Sequence, residues 1–199
     1  MSEVVVIGVW NHSPKAFTPM NSAVCRFSCE DEAVPALNNP CKIPSTNFNY
    51  SFRMSLGAHI TGDFTQIRDL SVYGDGNFAT DWGLDHASGG RVEIGARDTG
   101  DNGCPLDSYA VATGSTTSGN SIGDPTNGHP YYKDTTAKVR DWDTCLANAT
   151  HLIDSGPYDY ASYPTGFYSK IWVMSVKIPP TATYGPKTPK NGTLIYNVF

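Results

Sequence analysis

The sequence predicts a mainly β protein: one antiparallel β-sandwich domain over 1–199, immunoglobulin-like or jelly-roll in type. Three observations predict it. Charged residues are only 17% of the chain, while Gly (19) and Pro (14) are plentiful, as suits short strands joined by many turns. Several segments alternate apolar and polar residues with a period of two. One segment, 170–178, is apolar on both faces, the pattern of a central strand covered on both sides.

The strands follow in chain order. The N-terminal run around 4–7 reads as a strand, because it is too short for a leader's apolar core and has no basic region before it. Residues 11–47 read as irregular, with Pro14, Pro19, Pro35, Pro40 and Pro44. Over 49–60 the alternation is clearest: Tyr50, Phe52, Met54 and Leu56 interleave with Ser51, Arg53 and Ser55, which predicts a half-buried strand. Leu70 and Val72 repeat the pattern over 68–73, and Gly74-Asp75-Gly76-Asn77 breaks it with turn residues. Val92, Ile94 and Ala96 alternate with Arg91, Glu93 and Arg97, and a turn begins at Asp98.

Residues 114–129 are polar and loop-like, suited to a mobile arm or a long hairpin tip. One short helix is expected near 139–153, where Val139, Trp142, Leu146, Ala149 and Ile153 recur at helical spacing. At 170–178, Ile171 and Val173 oppose Trp172, Met174, Val176 and Ile178, and Pro179-Pro180 stops the strand. Residues 193–199 read as the last strand.

Chemistry is sparse in this sequence. The net charge is -5 without a basic run, which argues against nucleic acid as a partner. No apolar stretch reaches the roughly 20 residues that would span a membrane as a helix. The histidines, His12, His59, His86, His129 and His151, are scattered, without metal-ligand spacing. No nucleophile elbow or phosphate-binding loop occurs, so no catalytic residue, metal or cofactor is expected. Carboxylates recur in pairs, Asp81 with Asp85, Asp98 with Asp101 and Asp141 with Asp143, and turn-capping is the ordinary role of such aspartates. Calcium could use Asp98, Asp101 and Asn102, or Asp75, Asn77 and Asp81, although neither set has the spacing of a helix-flanked loop.

Cys25, Cys29 and Cys41 lie close in sequence; Cys104 and Cys145 lie apart. Buried free thiols are the first expectation, a disulfide among the first three the second, and zinc the third. Aromatics gather at Tyr131-Tyr132 and at Tyr158, Tyr160, Tyr163, Phe167 and Tyr168. They could form a sugar or protein platform, or cap the end of a sandwich.

The segment Lys177-Ile178-Pro179-Pro180-Thr181-Ala182-Thr183-Tyr184-Gly185, followed by Gly192-Thr193-Leu194-Ile195-Tyr196, resembles the last two strands of immunoglobulin-like sandwiches. The segment Phe64-Thr65-Gln66-Ile67-Arg68-Asp69-Leu70-Ser71-Val72-Tyr73, with Gly74-Asp75-Gly76, resembles virion proteins of tailed phages and related viruses. This resemblance implies a non-enzymatic virion structural protein: a capsid decoration or cement protein, or a neck or tail component. It would be made in the host cytoplasm and partnered by other virion proteins and by copies of itself. A carbohydrate-binding module, with a host-surface glycan as partner, is the alternative, and a metal-dependent hydrolase the second alternative.

Overall fold

Two antiparallel sheets packed together make up the structure, a computed structural model that describes residues 2–20, 26–36, 39–97, 100–133, 137–185 and 187–199. In chain order the elements begin with β1 (Glu3–Asn11), β2 (Ala16–Pro19), β3 (Asn49–Tyr50), β4 (Met54–Gly62) and β5 (Gln66–Gly74). A one-turn helix α1 (Phe78–Asp81) follows, then β6 (Arg91–Arg97), β7 (Ala137–Asp141) and β8 (His151–Asp154). The chain closes with β9 (Tyr158–Asp159), β10 (Phe167–Tyr168), β11 (Trp172–Ile178) and β12 (Gly192–Val198).

The larger sheet runs β2-β1-β4-β11-β6-β7, with β10 added to β4 and β3 to β11. The smaller runs β12-β5-β8, with β9 added to β5. Alternation explains the core between them. Val92 and Ile94 of β6, and Trp172, Met174, Val176 and Ile178 of β11, point from the large sheet towards Val72 and Ile153 of the small one. In β5 the alternation would break between Ile67 and Leu70, both fully buried. Asp69 adopts a left-handed φ of 55° and the register shifts between Leu70 and Ser71, a bulge that returns both side chains to the core.

The small sheet does not cover the whole inner face of the large one. Phe78, Ala79 and Leu84, from α1 and the turn after it, cover part of the remainder. A capping segment covers more, through Phe27, Ala33, Cys41 and Ile43. The stretch 11–47 is therefore only partly irregular: β1 runs on to Asn11, and β2 pairs back onto it.

The outer face of the large sheet is covered too. Ile171 and Val173, as their two-faced strand predicts, are fully buried there beneath Cys104, Ile122 and Tyr132. Residues 114–129 are therefore not a free arm. Ile122 and His129 are fully buried, and Gly119 donates to the Tyr50 carbonyl at 2.6 Å. The strand expected at 49–60 is covered on both faces rather than one, and it is interrupted: the Phe52 amide leaves the sheet to bond the Ser28 carbonyl at 2.8 Å.

Gly95 lets this cover approach, since a Cβ there would fall 2.6 Å from the Tyr132 ring. Tyr132 is fully buried, and its hydroxyl donates to the Asn102 carbonyl at 2.6 Å. Gly95→Ala is expected to cost about 1–3 kcal/mol in urea unfolding, the usual range for overpacking a filled site.

The helix expected near 139–153 is absent, and α1 lies elsewhere. Val139 and Ile153 belong to two strands, β7 and β8, and Trp142 to a 3-10 turn between them. Local polar bonding wins here over the weak helix propensity of Thr144, Asn148 and Thr150. The Asp141 carboxylate accepts from the Asp143 amide at 3.0 Å, while the Asp143 carboxylate accepts from the amides of Phe78 (2.6 Å) and Ala79 (2.9 Å). Trp142 and Ile153 still reach the core, but Leu146 is exposed.

Candidate functional site

β12 is an edge strand of the small sheet; among the described residues its one strand partner is β5. Its seven residues, Gly192–Val198, include no charge and no proline. The register is regular from Gly192 to Ile195 and shifts before Asn197. One face is anchored: Leu194 and Tyr196 pack against the core, and the Tyr196 hydroxyl donates to the Glu3 carboxylate at 3.1 Å. Ile195 lies on the opposite face and is 41% exposed; beyond the register shift Val198 pairs with the buried Ile67, and Val198 and Phe199 are 44% and 65% exposed.

The opposite edge of this sheet is closed. Asn102 and Gly103 donate to the Leu152 and Ile153 carbonyls of β8, at 3.1 and 3.0 Å. β2, at one edge of the large sheet, is only four residues long and ends in Pro19. Short strands, prolines, charges and bulges are the common protections of sheet edges. Of these, β12 carries only the bulge after Ile195.

The remaining candidates fall into place individually. Among the described residues no group of three or more His, Cys, Asp or Glu could hold a metal ion. In the turn of Asp75, Asn77 and Asp81, the Lys190 ammonium takes the place a cation would need, 2.6 Å from Asp81 and 3.7 Å from Asp75. The hydrogen bond to Asp81, with the charge of Asp75 beside it, holds Lys190 above its ordinary pKa. Asp98 lies outside the described residues; Asp101 is bonded at 2.5 Å to Lys170. Asp85 accepts from the Ser88 amide, a turn role. His86 pairs with Asp141 at 2.8 Å, His12 faces Glu32 at 3.4 Å, and His59 stacks on Tyr168. His129 and His151 are buried.

The aromatic group mostly caps the end of the sandwich. Tyr158 stacks on Phe167 with ring centroids 3.9 Å apart, and Phe64, Tyr160 and Tyr163 pack edge-on or tilted around them. Tyr168 sits apart, against Trp10, Phe17 and His59, and is 41% exposed.

Three buried polar groups were not evident in the sequence. Glu93 is nearly fully buried on the outer face; burial pushes its carboxyl up, against the Arg91 guanidinium at 3.0 Å. Asp154 is also buried, bonded to Tyr158 and to the backbone of Lys170. Arg53 reaches the Val111 and Asn127 carbonyls beneath the cover at 3.2 and 3.1 Å. Glu93 and Arg53 occupy positions that alternation assigns to solvent, and the cover over the sheet buries them.

Compared with protein-family models, curated proteins and solved structures, the chain matches none.

Proposed function

We propose that this chain is a non-enzymatic structural protein of a virion, a capsid decoration or cement protein or a neck or tail component. Its partners are other virion proteins and further copies of itself. The observation that supports this reading is the β12 edge: an uncharged strand, bulged once after Ile195, with one side unpaired among the described residues and with exposed apolar residues. Such an edge is a template for pairing with another chain. The resemblance of 64–76 to virion proteins supplies the setting.

Sedimentation velocity of the full chain tests the assembly. Association is expected to increase with protein concentration. The variant Ile195→Lys is expected to remain monomeric with stability within about 0.5 kcal/mol of the parent, because Ile195 is exposed on the face turned away from the core. Purified particle shells lacking the chain test the setting, and saturable binding of the chain to them is expected. A chain that is monomeric at every concentration and binds no shell contradicts the proposal.

A further inference from the structure

We propose that Cys29 and Cys41 form a reversible intrachain disulfide that locks the segment capping the inter-sheet core. Their sulfurs lie 3.9 Å apart in S–H···S contact. A disulfide needs about 2.05 Å, so bond formation draws together two sulfurs already in contact.

The loop between the two cysteines already holds its ends together. The Cys29 amide donates to the Asn39 carbonyl at 3.1 Å, and the Glu30 carboxylate accepts from the Ala36 amide at 3.0 Å and from the Asn39 side chain. The loop is moored to the body at one side, where the Asp31 carboxylate accepts from the His12 amide at 2.8 Å and the Ser28 carbonyl from Phe52. It covers the core with Ala33, and Cys41 packs against the same core. The neighbouring sulfur also divides the two thiols: contact with Cys41 lowers the pKa of Cys29, while that of Cys41 is raised. A thiol with a lowered pKa beside a second thiol is the arrangement from which exchange begins.

The oxidant is a small-molecule disulfide such as oxidised glutathione. One cysteine thiolate attacks a sulfur of that disulfide, forming a mixed disulfide and releasing one thiolate. The second cysteine loses its proton to solvent and attacks the protein sulfur of the mixed disulfide. The second small thiolate leaves, so two protein thiols become one disulfide and one small disulfide becomes two thiols. Cys41 is half-buried and the other three described cysteines are buried, but of these only Cys29 is in contact with Cys41, and burial pushes the Cys104 thiol up to about 12.

Cys25, outside the described residues, is the one nearby competitor in sequence. The experiment therefore uses the full chain, its Cys25→Ser variant and its Cys41→Ser variant. Each is reduced, equilibrated with oxidised glutathione, alkylated and mapped by mass spectrometry. The parent and Cys25→Ser are expected to lose two hydrogens, to give one peptide pair joined through Cys29 and Cys41, and to gain roughly 5–10 °C in Tm. Dithiothreitol reverses both changes. Cys41→Ser should show neither the linked pair nor the gain. A linkage that includes Cys25, or Cys29 and Cys41 that remain alkylatable after equilibration, overturns the proposal.

Discussion

Between about pH 6.5 and pH 4 the fold is expected to lose several kcal/mol of stability, because burial of His129 and His151 disfavours their charged forms. Burial, aided by the Arg53 guanidinium, pushes His129 down to about 3. Burial pushes His151 down to about 4, against its bond to the Gly95 carbonyl. The local bonding agrees. His129 Nδ1 accepts from the Tyr131 amide at 3.2 Å, and a proton placed on that nitrogen would break the bond.

In the unfolded chain both rings take up protons below about 6.5. In the native state they resist until about 3 or 4. The stability they confer is thus fully present above about pH 6.5 and is lost as the pH falls towards the folded values. At about pH 4.5 each contributes a loss of about 2–3 kcal/mol. Glu93 opposes this, since its carboxyl is raised by burial and takes up its proton more readily when folded. Urea unfolding at about pH 7 and 4.5 measures the net effect, expected at about 3–5 kcal/mol. His129→Phe should remove about half of the dependence whatever its own cost, leaving the share of His151. A free energy that is level across this range would refute the assignment.

Asp154→Ala is expected to be the most damaging single change among the polar residues, at about 3–5 kcal/mol. This carboxylate is 2% exposed. It accepts from the Tyr158 hydroxyl at 2.5 Å, the Lys170 amide at 3.0 Å and the Gly156 amide at 3.3 Å, and it lies 3.6 Å from the Lys170 ammonium. Truncation strips all of these donors at once and leaves Asp101 as the one carboxylate paired with Lys170. A buried donor without an acceptor costs its full desolvation. Tyrosine titration gives a second readout. Burial first, and then the bond to Asp154, raise the Tyr158 hydroxyl, so its titration should move down in the variant. A variant within about 1 kcal/mol of the parent would show that solvent already reaches this cluster.

The strands most legible in the sequence are those whose pattern depends on the sheet alone. β11 is apolar on both faces and proves to be central and covered on both. β6 alternates, and its apolar face meets the core. The cover over the outer face was not legible, because it works through a few separated residues, Ile122, His129 and Tyr132, in a polar stretch. That cover also buries Arg53 and Glu93, which alternation alone leaves in solvent. The helix near 139–153 was misread because residues from two strands and a turn fell by coincidence at helical spacing. β12 was legible as a strand, but its place at an open edge follows from topology, which its own seven residues do not encode. Likewise, three cysteines in sequence left the pairing open, and the fold brings Cys29 to Cys41.

The proposed pairing of β12 with another chain would use the side of that strand that has no strand partner among the described residues. Amide hydrogen exchange across a range of protein concentrations tests it most directly. The outward amides of Gly192–Val198 should exchange fast when the chain is dilute and become protected as concentration rises, while β5 stays protected throughout. Protection in β12 that does not change while the chain associates, or a chain that never associates, would contradict it.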